Sequence, residues 1–220
     1  MAYLSRAAAG RELGRFLAGC GLRVDVVLGL PRGGVVVAAE VARILQCPLE
    51  ALVVRKIGHP RHPEFAVGAL AEHGIVLLDQ DVLKRHHVTQ AELDVVVAAE
   101  TGRLRAHQSR FHPCGEPNLS GRSVLLIDDG LATGATTEAA VLSAKKQLAA
   151  TVAVASPVAS THAVQRLGAI ADNVFALISD PDFMAVGQYY DEFPQTSDEE
   201  VVALLRRDAV PKAGIEDTGV

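Results

Sequence analysis

An open α/β domain with a doubly wound, largely parallel central sheet flanked by helices is what this chain predicts, and three observations carry that reading. Short apolar runs alternate with helical runs along most of the 220 residues, the pattern of repeated strand–helix units. Two of those runs end in glycine-bearing turns that lead straight into a helix. Hydrophobic residues at 49% against 21% charged give one globular domain with a full core.

The elements follow in order. Residues 5–19 read as a helix, with Leu13, Phe16 and Leu17 on one face. Residues 24–30 form a β-branched run, a buried strand, and 33–45 a Val- and Ala-rich helix. Residues 49–54 read as a second strand, followed by a loop punctuated by Gly58, Pro60 and Pro63. Residues 65–79 read as two strands folded at Glu72-His73-Gly74. Thr89 and Glu92 match a capping box and open a long helix to about Gln108. After a loop over 113–121, the strand 124–127 leads into a helix reaching about Ala150. A strand over 151–156 stops at Pro157, a helix covers 161–167, and 174–178 is the last strand. An irregular stretch over 181–194 carries Phe183, Tyr189, Tyr190 and Phe193, and a short helix spans about 197–207. We read one domain over 1–207, with its core at about 20–180. A small C-terminal hood combines the N-terminal helix with about 180–207, and 208–220 is a flexible tail.

Composition narrows the function classes. A net charge of −5 argues against nonspecific nucleic-acid binding. No apolar run approaches a membrane span, and the N-terminus lacks the order of a signal peptide. Cys20, Cys47 and Cys114 form no C-x-x-C pair, so neither a zinc site nor a disulfide framework is expected. A reducing cytoplasmic setting, with no membrane or nucleic-acid partner, fits these features.

The most informative segment is Val124-Leu125-Leu126-Ile127-Asp128-Asp129-Gly130-Leu131-Ala132-Thr133-Gly134-Ala135-Thr136-Thr137. A buried strand delivers two acids to its C-terminal end, where open α/β sheets bind ligands. The helix that follows offers free N–H groups and a positive dipole end to a phosphate. Gly130 and Gly134 permit close backbone approach, and Thr133, Thr136 and Thr137 bring hydroxyls. Asp128 and Asp129 suit sugar hydroxyls or a hydrated divalent cation rather than the phosphate itself. A ribose 5-phosphate satisfies both halves. No lysine follows the glycine as in a Walker A loop, and no G-x-G-x-x-G spacing occurs. Pro31-Arg32-Gly33-Gly34 repeats the device after the first strand, and Arg32 adds a bidentate phosphate donor. Arg55 and Lys56 close the second strand and open a basic loop. A metal site at His59, His62 and Glu64 is disfavoured, because no second ligand group has matching spacing.

The acidic pair and the T-G-A-T-T loop resemble the ribose-phosphate motif of the type I phosphoribosyltransferases, over about residues 25–193. The likeness is greatest to a bacterial group within that family whose acceptor is unsettled. The resemblance implies a type I phosphoribosyltransferase fold and a Mg2+-dependent transfer from 5-phosphoribosyl 1-diphosphate (PRPP) to a nitrogen acceptor, a nucleobase first among the candidates. Asp128 and Asp129 would hold the ribose hydroxyls, and residues 130 and 132–137 the 5-phosphate. Residues 31–34 would form the diphosphate loop, with the Pro31–Arg32 bond in cis, and Arg55 and Lys56 would supply diphosphate contacts on a mobile lid. Phe183 would stack on the base, Asp191 would join Asp128 and Asp129 at Mg2+, and a homodimer is the family's common state. The 6-oxopurine enzymes carry a lysine where this chain reads Ser156-Pro157-Val158-Ala159-Ser160, so the resemblance does not imply guanine or hypoxanthine. The alternative is a non-catalytic module that senses PRPP; a phosphosugar hydrolase on the same fold is a weaker third reading.

Overall fold

The computed structural model describes residues 2–113 and 115–207. The tail over 208–220 and Cys114 lie outside the described residues. The helices are α1 (Arg6–Gly19), α2 (Gly33–Leu45), α3 (Gln80–Arg85), α4 (Gln90–Phe111), α5 (Ala135–Lys146), α6 (Thr161–Gly168) and α7 (Asp198–Arg207). The strands are β1 (Val26–Gly29), β2 (Leu49–Ala51), β3 (Val54–His59), β4 (His62–Ala71), β5 (Ile75–Leu78), β6 (Ser123–Ile127), β7 (Thr151–Ser160) and β8 (Asn173–Asp180).

Five strands form a parallel sheet in the order β2-β1-β6-β7-β8. Alternate side chains divide between its two faces. Val27, Leu125, Ile127 and Ala153 pack on one side with Leu13 and Leu17 of α1, Val37 and Val41 of α2, and Leu104 of α4. Val26, Val124, Leu126 and Val154 pack on the other with Ala139 and Ala140 of α5 and Leu167 of α6. Both faces are covered, which is why these strands read as continuous apolar runs. The chain winds outward from the β1–β6 pair in both directions, so the crevice of the fold opens beyond their C-terminal ends. Gly29 pairs with Ile127 there, which sets the two glycine-bearing turns side by side.

Four expectations need correction. The apolar run over 49–54 is not one strand: it leaves the main sheet after Ala51, and from Val54 the backbone pairs with β4 instead. The expected loop around Gly58, Pro60 and Pro63 is therefore a hairpin, with His59 opposite His62 and Pro60-Arg61 at its tip. Gly58 is required in it, since a Cβ would lie 2.3 Å from the Pro63 carbonyl oxygen. β3, β4 and β5 make a separate antiparallel sheet. Strand β7 also runs past Pro157, because Ser156 and Val158 keep their register with Ala176 and Ile178 on either side of it. The short α3 was not foreseen; Asp79 caps it by accepting from the Val82 N–H at 2.9 Å. Helix α5 ends at Lys146, short of Ala150, while the Thr89–Glu92 capping box is present as expected.

A buried pair ties the two sheets together. Glu72 Oε1 accepts from the Val53 N–H at 2.8 Å and lies 2.9 Å from His112 Nε2. Burial pulls the His112 pKa down, but the Glu72 carboxylate outweighs it, and the net shift is upward from 6.5. The pair therefore stabilises the fold fully below that ordinary value and loses its contribution as pH rises through the raised one. Wild-type protein should lose its melting-temperature advantage over His112→Gln as pH is raised from about 6 to 9, which calorimetry across that range would measure.

Candidate active site

The two turns interlock. A Cβ on Gly33 would sit 2.0 Å from Asp129 Oδ2, and one on Gly34 would sit 2.9 Å from the Asp128 Cα. The Pro31–Gly34 turn and the acidic pair are thus packed so closely that only glycine fits at positions 33 and 34. The Pro31–Arg32 peptide bond is cis. Arg32 sits at the α2 N-terminus and reaches Asp198 at 3.7 Å. Pro31, Arg32, Val53, Val54, Arg55 and His107 surround a cleft of about 450 Å³, which brings Arg32 and Arg55 to one place. Arg55 is held there by Glu100 of α4 at 2.9 Å. Lys56 stays exposed on the hairpin and donates to the Glu64 carbonyl at 3.0 Å.

Asp128 is half-buried and accepts from the Asp129 N–H at 2.9 Å. Burial first, and the Asp129 charge second, hold its carboxyl well above the usual 3.8. Asp129 has a partner that sequence reasoning missed: Arg6 of α1, whose Nε lies 2.6 Å from Oδ2. The Arg6 guanidinium also donates to the Pro194 carbonyl at 2.7 Å and lies 3.7 Å over the Phe193 ring. The Tyr190 hydroxyl donates to the Asp129 carbonyl oxygen at 2.7 Å. These contacts bind the acidic pair to the segment over 183–194, which also meets the N-terminal residues: Tyr3 N–H donates to the Tyr189 carbonyl and Asp191 N–H to the Tyr3 carbonyl. Arg6 lies 123 residues from Asp129, and no local pattern announces such a pair.

The loop after the pair leads into the open start of α5. Gly130 faces Val186 of the hood so closely that a Cβ would meet it at 2.5 Å. Leu131 bridges to Ala159, and the Ser160 hydroxyl donates to the Ala132 carbonyl at 2.6 Å, pinning the loop against β7. Gly134 caps α5 in the left-handed region, at φ 73° and ψ 0°. Ala132 and Thr133 are exposed, and Ala135 and Thr136 half-buried, at the open helix start. Thr137 departs from expectation: at 1% exposure its hydroxyl lies in the interior and is not presented to a ligand. Gly134→Ala should cost about 1 kcal/mol by forcing a side chain into left-handed backbone, read as a drop in the urea midpoint.

Of two hood assignments, that of Asp191 is revised. Phe183 stacks on Tyr189 with ring centroids 5.1 Å apart, so one of its faces is already taken. Asp191 is exposed and does not join Asp128 and Asp129: among the described residues no group of three or more His, Cys, Asp or Glu side chains is placed to hold an ion. With Asp129 committed to Arg6 as well, these residues do not fit a metal held by protein ligands alone. Among the described residues, no helix is long and apolar enough to cross a membrane.

Comparison with known proteins agrees with this geometry. The phosphoribosyl transferase domain model matches residues 6–193. A Mycobacterium tuberculosis H37Rv protein named "Putative phosphoribosyl transferase" is 45% identical over 203 residues, 92% of this chain and 46% of that protein. Its counterpart in strain CDC 1551 matches equally. The chain thus spans about half the length of these curated relatives. The crystal structure of TT1426 from Thermus thermophilus superposes with a TM-score of 0.79 at 44% identity, covering 96% of this chain and 100% of that one. With the interlocked turns, the acidic pair and a family match over most of its length, this chain belongs to the phosphoribosyl transferase domain family.

Proposed function

We propose that the chain is a phosphoribosyltransferase that takes PRPP and passes its ribose 5-phosphate to a nitrogen acceptor, releasing diphosphate. The single observation that carries this reading is the interlock of Gly33 and Gly34 with Asp128 and Asp129, which packs two glycine-bearing turns side by side at the C-terminal ends of β1 and β6. The 5-phosphate takes the loop from Gly130 to Thr136 and the α5 N-terminus. The diphosphate takes the cleft between Arg32 and Arg55, beside the Gly33 and Gly34 amides. Magnesium enters with the diphosphate, as part of the substrate. The acceptor nitrogen's lone pair bonds to the anomeric carbon while the bond to the diphosphate oxygen breaks with its electron pair leaving on the diphosphate, and the nitrogen gives up its proton to water. Asp128 and Asp129 fix the ribose hydroxyls through that step, and Lys56 on the hairpin closes over the leaving group. The cytoplasm is the compartment where such a substrate is met.

Two ion pairs favour a second reading, a PRPP sensor without chemistry: Arg6 already occupies Asp129, and Glu100 already occupies Arg55. Diphosphate release from Mg2+-PRPP across a panel of nucleobases, beside calorimetric titration with PRPP alone, separates the two. Turnover on one base supports the transferase. Tight binding without turnover on any acceptor leaves the sensor, and no binding ends both.

A further inference from the structure

At the opposite edge of the sheet lies a second cavity, of about 380 Å³. Leu49 opens β2 there and Arg122 immediately precedes β6, so this is the edge away from the candidate active site. Its floor is apolar: Leu49, Phe111, Val202 and Leu205. Its charged groups are Arg110, Arg122 and Arg206, against Glu50 and Glu116. Arg110 is paired with Asp198 at 3.0 Å, and Glu116 with His73 at 3.0 Å. Arg122 donates to two carbonyl oxygens, of Asn118 at 3.4 Å and Asp25 at 2.6 Å, and so keeps its charge unneutralised by those contacts.

His112 supplies a second, independent sign. It lines this cavity, its side chain is 2% exposed, and its Nδ1 has no hydrogen-bond partner in the structure. A buried ring nitrogen without a partner destabilises the fold; Nδ1 has almost no accessible surface, so a ligand in the cavity would satisfy it only by shifting the ring. The other nitrogen is bonded to Glu72, the residue whose Oε1 also holds the Val53 N–H. Val53 in turn lines the cleft between Arg32 and Arg55.

We infer that this cavity is a ligand site for an organic anion with an apolar body, seated on the Leu49–Phe111–Val202–Leu205 floor with its acidic group on Arg122 and Arg206, against the His112 ring. Its occupancy is transmitted along His112–Glu72–Val53 to the opposite edge of the sheet. The binding site stands by itself; only the meaning of that transmission rests on the proposed PRPP reading.

The probe is 8-anilinonaphthalene-1-sulfonate, an apolar anion that fluoresces on leaving water. One dye molecule should bind per chain, saturably, and remain bound when PRPP and Mg2+ are added. Arg122→Gln with Arg206→Gln should weaken binding about tenfold, and Leu205→Trp, which fills the cavity, should abolish it. Melting curves would establish that both variants fold. Bound dye should slow hydrogen exchange of the Val53 amide in the wild type and not in His112→Phe. Absence of saturable binding, or binding untouched by either variant, overturns the site. So does displacement by PRPP, which would place the dye in the other cleft, or a tenfold gain on truncation after Arg207, which would make the cavity the seat of residues 208–220. An unchanged Val53 exchange rate overturns the transmission. Failure of PRPP to bind would end the transferase reading and leave the dye result intact.

Discussion

Asp128→Asn should raise the melting temperature at pH 7.5 by about 2–4 °C, the shift that roughly 1 kcal/mol produces in a domain of this size, and should lower PRPP affinity at least about tenfold. Both effects have one cause. The Asp128 carboxyl is held well above 3.8 by burial and by the Asp129 charge beside it. From 3.8 upward the folded chain retains a proton that the unfolded chain releases, so the group costs stability as pH rises toward its raised value. An asparagine oxygen still accepts the Asp129 N–H that Asp128 Oδ1 accepts at 2.9 Å, but carries no charge. The variant's advantage should therefore shrink as pH falls toward about 4. If PRPP is bound as proposed, through the ionised Asp128, wild-type binding should release a proton and tighten as pH rises. Titration calorimetry in two buffers of different ionisation enthalpy measures that proton directly. A variant that binds PRPP like the wild type would remove Asp128 from the site.

Local chemistry is what made much of this site legible. The acidic pair, the T-G-A-T-T loop and the Pro31–Gly34 turn are contiguous stretches whose residue types carry their own geometry, and the interlock of Gly33 with Asp129 follows from their neighbouring strands. Legibility ended where pairing is long-range. Periodicity showed that residues 49–54 are apolar and extended; it held nothing to say that Val54 changes sheets, because the choice of partner is made by β4. Gly58, Pro60 and Pro63 are turn formers, and here they build a bulged hairpin whose register shifts at Gly58. Pro157 lacks a donor yet sits inside β7, since the pairs on both sides of it hold the strand. Thr137 resembles its neighbours Thr133 and Thr136 in sequence, but the rotation of α5 turns it inward. Arg6 and His107, drawn to the site from helices remote in sequence, left no signal in the chain at all.

Arg6→Met should be the most damaging single change outside the motif. The guanidinium and the Asp129 carboxylate are only 11% and 14% exposed, so the pair is close to buried. Removing one partner of such a pair leaves the other charge uncompensated and costs about 3 kcal/mol. The methionine keeps much of the stem's volume but loses the Pro194 carbonyl bond and the contact over Phe193, which together hold the hood on the acidic pair. Arg6 also pulls the Asp128 pKa down, against burial and Asp129, so its loss pushes that carboxyl further up. PRPP binding should then weaken at neutral pH and recover part of its strength as pH is raised. A double-mutant cycle with Asp129→Asn tests the assignment. If the loss comes from the ion pair, the double variant is less destabilised than the two single changes predict together, by at least about 1 kcal/mol. Strict additivity would show that the Arg6–Asp129 ion pair adds nothing of its own, and the hood's polar hold on the acidic pair would then rest on the Tyr190 hydroxyl.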